Sequence, residues 1–139
     1  MKIVNHLQHV ALALLLAGCA ATDSASTNQA PTAMEVAIER GYLLGEEVDK
    51  IHNYEISGWQ YLAADGLLLP ASPSKTYLVL LKDRCSELSS TETIGLTTTV
   101  SSVLSRFDAV IVHPHPGGIE RRCYIDTIYL VEKPKKGDE

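Results

Sequence analysis

Short apolar runs of strand length constrain the fold of this chain more than any other feature. They recur at spacings of about ten residues, at residues 55–63, 66–70, 76–81, 93–100, 106–113 and 122–132. No long helical pattern separates the runs, which argues against a parallel α/β sheet. The spacing predicts a mainly β fold: a small antiparallel sandwich or barrel of five to six short strands.

Individual runs predict the environment of their strands. Asp65–Gly66 separates two runs and is a strong signal for a hairpin turn. The run Thr76–Leu81 (TYLVLL) is continuously apolar, which indicates a strand buried on both faces. Within residues 122–132 the apolar alternation changes phase, which predicts a β-bulge near Asp126–Thr127.

Three further elements are expected outside these runs. Residues 34–41 (MEVAIERG) carry apolar residues on one helical face and end in a glycine, which predicts a short N-terminal helix. Residues 43–48 predict a short edge strand. Residues 101–105 predict a single helical turn between two strands.

The N-terminus has the features of an export signal. Lys2 precedes an unbroken apolar run, Val10–Ala17 (VALALLLA), which ends in Gly18 and Cys19. A charged start, a short apolar stretch and small residues at its end describe a secretory signal peptide. The apolar run is too short to cross a bilayer, which takes about 20 residues.

Residues 16–19 (LAGC) resemble the lipobox of bacterial lipoproteins at all four positions. The resemblance implies that residues 1–18 are removed and that Cys19 becomes an acylated first residue, which anchors the chain to a membrane. The alternative is an ordinary secretory signal that contains a cysteine. In enteric-type lipoproteins, an aspartate after the cysteine favours the inner membrane. Ala20 therefore implies the outer membrane, facing the periplasm.

These features divide the chain into four parts. Residues 1–18 are a lipoprotein signal peptide, and residues 19–33 are the lipidated cysteine and a flexible tether, because they are small, polar and aperiodic. Residues 34–133 form a single β-rich domain, and residues 134–139 are a charged tail. The net charge of −5 lacks the basic footprint of nucleic-acid binding, so we expect no nucleic-acid partner.

The three cysteines fit this division. With Cys19 lipidated, Cys85 and Cys123 remain as an even pair in an oxidising compartment. A bond between them closes a loop whose chain entropy corresponds to about 4 kcal/mol of stabilisation. We expect a structural disulfide. Two free thiols and a redox-active pair are the alternatives, although redox motifs usually place their cysteines close together.

Residues 113–118 (HPHPGG) carry a candidate metal site. Imidazole is the commonest metal ligand, and His113 and His115 share a face if the segment is a strand. The two prolines favour a polyproline conformation, in which the pair diverges by about 120°. The alternative is a Pro/Gly-rich loop between the last two strands. A periplasmic metal-binding module that uses His113 and His115 is thus an alternative function, and we expect no resident cofactor.

Signals for catalysis are weaker. The chain has no G-x-S-x-G motif and no phosphate-binding glycine pattern. Asp108, His113 and a serine can be assembled into a triad, but any chain of this composition offers such triples. A small hydrolase is a further alternative. We expect a non-enzymatic binding or assembly role, with an envelope protein or polymer as partner.

Aromatic and basic residues offer weaker binding hypotheses. Trp59 and the tyrosines are expected mostly in the core and in cross-strand pairs, with an aromatic ligand face as the alternative. Arg106 and Arg121–Arg122, with the C-terminal lysines, are expected at the solvated surface. The alternative for this basic cluster is a surface that binds anionic envelope polymers.

Six segments together resemble a family of small, uncharacterised proteobacterial lipoproteins, a domain of unknown function: GEEVDKI, ISGWQYL, YLVLLKDRC, IGL, RFDAVIV and RCYIDTIYLV. The resemblance covers about residues 44–131 and includes Cys85 and Cys123. It implies a single exported domain with a bond between these cysteines. It implies no activity, cofactor or catalytic residue.

Overall fold

The computed structural model describes residues 29–72, 74–100, 102–113 and 118–133. Their elements are α1 (Ala33–Glu39), β1 (Leu43–Glu47), β2 (Lys50–His52), η1 (Asn53–Glu55), β3 (Gln60–Ala63), β4 (Gly66–Ala71), β5 (Lys75–Leu81), η2 (Ser86–Ser90), β6 (Ile94–Leu96), β7 (Val103–Ser105), β8 (Ala109–Val112) and β9 (Arg121–Glu132). The chain is mainly β, as the sequence predicts. Within these residues, no helix has the length and hydrophobicity needed to span a membrane.

An antiparallel sheet of seven strands curls into a half-barrel. The strand order is β3-β4-β5-β9-β8-β6, and β1 pairs with β9 outside this path. The long strand β9 pairs with β5 on one side. On its other side β8 pairs with residues 121–124 and β1 with residues 129–132. A separate two-stranded ribbon is formed by β2 and β7.

The curled sheet buries apolar side chains on both faces. The inner face carries the larger cluster, where Ile51 and Leu104 of the ribbon pack with the sheet. On the outer face, Ala33 and Ala37 of α1 pack on Leu68 and Leu78. Strand β5 lies between the two clusters. The prediction that residues 76–81 are buried on both faces is therefore confirmed.

Helix α1 begins one residue before the expected start at Met34. The Thr32 hydroxyl accepts the Glu35 N–H, and the Glu35 carboxylate accepts the Thr32 N–H at 2.7 Å, which forms a capping box. The helix ends at Glu39, and Gly41 follows the C-cap residue Arg40 with a φ of 83°, which suits a glycine. Ala33 is thus helical and buried. Residues 1–18, 19–28 and 134–139 lie outside the described residues.

The hairpin predicted at Asp65–Gly66 is confirmed between β3 and β4. Its turn residues are Ala64 and Asp65, and Gly66 is already the first residue of β4. A Cβ on Gly66 would lie 2.6 Å from the Ala33 Cβ and 2.7 Å from the Val79 carbonyl oxygen. Glycine is therefore needed here because the helix and the neighbouring strand approach closely.

The predicted bulge in the last strand is also confirmed. Leu80 pairs with Thr127 and Leu81 with Ile125, which leaves Asp126 as the extra residue of β9. The bulge changes the phase of the strand. As a result Ile125 and Ile128, an odd number of residues apart, both face the inner cluster.

The helical turn predicted for residues 101–105 is wrong. Residues 103–105 form β7, which pairs with β2, a strand that the sequence did not predict. Burial of Ile51 and Leu104 in the inner cluster stabilises this ribbon, so tertiary packing outweighs local propensity. The strands expected at residues 55–63, 93–100 and 106–113 are present but shorter, as β3, β6 and β8.

Candidate functional site

The expected disulfide is present in the structure. Cys85 and Cys123 are bonded with a Cα–Cα distance of 6.0 Å, within the ordinary range. They are 1 % and 6 % exposed and belong to the inner cluster. The free-thiol alternative is therefore wrong. Redox exchange requires access to a sulfur atom, so this burial favours a structural role.

The two predicted metal ligands are not both described. His113 is exposed after β8, and its carbonyl accepts a hydrogen bond from the Thr91 hydroxyl at 3.4 Å. His115 lies outside the described residues, as does Cys19. In the part of the chain that the structure describes, no group of three or more His, Cys, Asp or Glu residues is placed to hold a metal ion. The metal site at His113 and His115 stays a prediction.

Among the described residues, Asp108 is the one acidic residue that is buried, and it is 2 % exposed. Its Oδ1 accepts the N–H and hydroxyl of Thr99 at 2.6 and 2.7 Å, and its Oδ2 accepts the N–H and hydroxyl of Ser105 at 2.8 Å each. Burial raises the pKa of Asp108, but these four hydrogen bonds outweigh burial and hold the pKa below its usual value. Both oxygens are engaged, so the carboxylate is not free to orient His113 in a triad.

A cleft lies between the two end edges of the half-barrel, and we call it the edge cleft. Its volume is about 310 Å³, and it is lined by Ile56, Ser57, Gly58, Trp59, Leu69, Ile94 and Leu96. Leu69 of β4, fully buried, belongs to the inner cluster behind it. None of the lining residues has an ionisable side chain. The edge cleft is therefore an apolar site without groups for acid–base chemistry.

Residues 56–59, which form one wall, continue the β3 edge irregularly. Ser57 donates its N–H and its hydroxyl to the carbonyl of Pro70 in β4, at 2.9 and 3.1 Å. Gly58 and Trp59 do not pair with β4, and regular pairing with β4 begins at Gln60, the first residue of β3. A Cβ on Gly58 would meet no atom within 4 Å. This wall therefore has open space beside it.

Strand β6 forms the other wall. Among the described residues it pairs on one side only, with β8. The Thr97 N–H donates to the Ala109 carbonyl at 2.9 Å. Because backbone groups alternate along a strand, those of Gly95 point toward β8 and those of Ile94 and Leu96 point away from it. The wall thus combines half-buried apolar side chains with an unpaired strand edge.

The threonines that follow β6 hold this wall in place. The Thr97 hydroxyl accepts the Ala109 N–H at 2.7 Å, and Thr99 is bonded to Asp108. Asp108 also holds Ser105 at the end of β7. One buried carboxylate therefore links the segment after β6 to the ribbon and to β8.

The sequence did not predict the edge cleft. Trp59 was expected mainly in the core, with a ligand face as the alternative, and the structure places it half-buried in the cleft wall. The available signal was Ser57–Gly58, which interrupts the strand pattern just before Trp59. That signal locates an irregularity but not the opposite wall, because β6 is distant in sequence.

Comparison with known protein families gives one match. A model described as "Family of unknown function (DUF6491)" matches residues 2–138. No curated protein and no solved structure matches the chain. The matched range extends beyond residues 44–131, over which the sequence segments suggested a resemblance.

Proposed function

The chain belongs to the family of unknown function DUF6491, and we propose that it is an exported, membrane-anchored binding module whose binding site is the edge cleft. The observation that carries the proposal is the open, mostly apolar cleft of about 310 Å³ between two sheet edges. Ligand sites are usually concave and mainly apolar, with a few polar groups that fix orientation. Ser57 and the outer backbone groups of Ile94 and Leu96 are such groups.

A binding role fits the cleft better than catalysis. General acid–base and nucleophilic chemistry need ionisable or activated groups at the site, and the lining residues carry none. Asp108 is the buried carboxylate nearest in sequence to the β6 wall of the cleft. Both of its oxygens already accept hydrogen bonds, from Thr99 and Ser105. Neither the hydrolase nor the metal-binding alternative gains an observation from the described residues.

The attachment to a membrane rests on the sequence. In this proposal residues 1–18 are removed and Cys19 is acylated, as in a small proteobacterial lipoprotein, and Ala20 directs the chain to the periplasmic face of the outer membrane. The family match begins at residue 2, so the lipobox-like segment lies within the extent of the family. A buried disulfide is typical of proteins in oxidising compartments, which supports export.

Ligand entry into the cleft is tested through Trp59, the single tryptophan of the chain. The full chain, labelled with 5-fluorotryptophan, is placed in phosphatidylethanolamine–phosphatidylglycerol nanodiscs and titrated with indole, a small neutral apolar probe. We expect its fluorine resonance to shift saturably, and Gly58→Phe to abolish the shift by filling the space beside Gly58. Leu43→Phe, at an exposed position of β1, is the matched control.

An unchanged Trp59 resonance at the solubility limit of indole contradicts the proposal. An equal shift in the Gly58→Phe variant also contradicts it, because the probe would then bind elsewhere.

Membrane anchoring is tested by the intact mass of the protein after detergent extraction and alkylation without reductant. We expect a chain without residues 1–18, with added acyl mass and with no alkylated thiol. A mass that retains residues 1–18, or one without lipid, contradicts the anchoring.

A further inference from the structure

The two walls of the edge cleft belong to opposite ends of the sheet. Residues 56–59 continue the edge beside β3, the first strand of the order β3-β4-β5-β9-β8-β6, and β6 is the last. The sheet curls so that these two ends face one cavity. The cavity therefore occupies the place where a further strand would continue the half-barrel toward closure.

Among the described residues, no strand pairs with the outer edge of β6, and the strand carries no charged residue or proline. Natural proteins protect such edges by keeping the edge strand short, or with charged residues, proline, bulges or a covering element. Of these, β6 has only its length of three residues. Strand β1, which pairs with β9 outside the strand path, carries Glu46 and Glu47 and an irregular register. Strand β6 is Ile94-Gly95-Leu96, with regular pairing to β8 and no charge. Its outer edge suits the addition of another strand.

We propose that the edge cleft takes an extended polypeptide segment of a partner protein, which pairs with the outer edge of β6 and places alternate apolar side chains in the cavity. This inference rests on the proposed function and names its ligand class. A hydrocarbon chain fills the apolar volume but offers no hydrogen bonds to the outer N–H and C=O groups of Ile94 and Leu96. An extended peptide supplies both the hydrogen bonds and the apolar side chains.

The charge around the cleft favours a cationic flank on this segment. Glu55 precedes Ile56 on one wall, and Glu92 lies two residues before β6 on the other. In the described part of the chain neither glutamate has a cationic partner within 4.0 Å. Lysine or arginine beside the apolar residues of the partner would complement both walls.

The probe is the blocked peptide Lys-Val-Thr-Val-Thr-Val-Lys, titrated against the full chain in nanodiscs and followed by the fluorine resonance of Trp59. The permuted peptide Lys-Val-Val-Val-Thr-Thr-Lys has the same composition without the alternation. A third peptide is N-methylated at the residues that face β6. We expect binding by the alternating peptide, and binding at least about tenfold weaker by each of the other two, because each lost pair of hydrogen bonds or misplaced side chain costs about one power of ten.

A variant of the protein tests the same edge. Leu96→Pro removes an N–H that points away from β8, so the β6–β8 bonds stay and the fold is retained. We expect about tenfold weaker binding of the alternating peptide, because the outer edge of β6 loses one hydrogen-bond donor. Gly95→Pro is the matched control, because it removes an N–H that points toward β8 and lowers the stability of the domain.

The outcomes separate this inference from the proposed function. If indole binds but the alternating peptide does not, or if N-methylation leaves its affinity unchanged, the edge cleft is a site for small apolar ligands or acyl chains and the inference is overturned. If neither indole nor the peptide affects Trp59, the proposed function fails as well.

Discussion

One side of the half-barrel is closed and the other is open. In the closed region (α1, β4, β5 and β9), both faces of the sheet are covered and the disulfide ties Cys85 to β9. In the open region (residues 56–59 and β6), the sheet ends in two edges with an apolar cleft between them. The difference separates stability from binding: substitutions in the closed region change the free energy of unfolding, and substitutions in the open region change ligand affinity.

The largest expected effect is loss of the disulfide. Replacing Cys85 and Cys123 together by alanine should lower the free energy of unfolding by about 4 kcal/mol, because the unfolded chain regains loop entropy. Urea denaturation of the full chain measures the change. A loss below about 1 kcal/mol would show that packing of α1 and β5, rather than the bond, holds the closed region together.

The second-largest loss of stability is expected when Asp108 is replaced, because this carboxylate links the segment after β6 to the ribbon and to β8. Asp108→Asn should lower the free energy of unfolding by about 3 kcal/mol, because the two donors of Ser105 lose their acceptor and the charge is removed. Asp126→Asn, at the exposed bulge, is the control and should change it by less than about 0.5 kcal/mol.

The free energy of unfolding should depend on pH, because the pKa of Asp108 is lowered in the folded chain. An unfolded aspartate has a pKa of about 3.9. The stabilisation by Asp108 is therefore fully present above this value and is lost as the pH falls through the lower folded pKa. Denaturation of the native chain between pH 7 and pH 2 should show this loss, and the Asp108→Asn variant should lack it. Identical acid profiles for the two chains would contradict the assignment.

Replacing one glycine in each region by alanine allows a direct comparison of how tightly the two regions are packed. Gly66→Ala, in the closed region, should cost about 2 kcal/mol, because its Cβ meets Ala33 and the Val79 carbonyl oxygen. Gly58→Ala, in the open region, meets no atom and should change the free energy of unfolding by less than about 1 kcal/mol. Thermal denaturation of both variants checks the pair. Equal losses would show that the two regions are packed alike.

A smaller loss of stability than that of Gly66→Ala is expected at the strand edge. Leu96→Pro should cost about 1 kcal/mol, from the lost packing of its half-buried side chain, since the N–H that it removes has no backbone partner among the described residues. A larger loss in denaturation would mean that the β6 edge contributes to the fold of the open region.

The closed region could largely be predicted from the sequence. The continuous apolar run of residues 76–81 gave a strand buried on both faces, and the phase change in β9 gave the bulge at Asp126. Gly66 was correctly placed at the hairpin but for an incomplete reason. Its close contact with Ala33 joins residues far apart in sequence, which a turn signal does not describe.

The two-stranded ribbon and the open region could not be predicted in the same way. Strands β2 and β7 have three residues each and one fully buried side chain each, Ile51 and Leu104, so no periodicity reveals them. The edge cleft depends on the curl of the whole sheet, which brings β6 to face residues 56–59. The sequence likewise did not predict the structural role of Asp108, because its four hydrogen bonds depend on the positions of Thr99 and Ser105.

Amide hydrogen exchange, followed by NMR with and without the alternating peptide, tests the central claim that the open edge is where a partner binds. The account predicts slower exchange at Ile94 and Leu96 when the peptide is present, and unchanged exchange at Leu43 and Leu44 of β1. Unchanged exchange throughout β6, or equal protection of β1, would contradict the assignment of the edge cleft as the binding site.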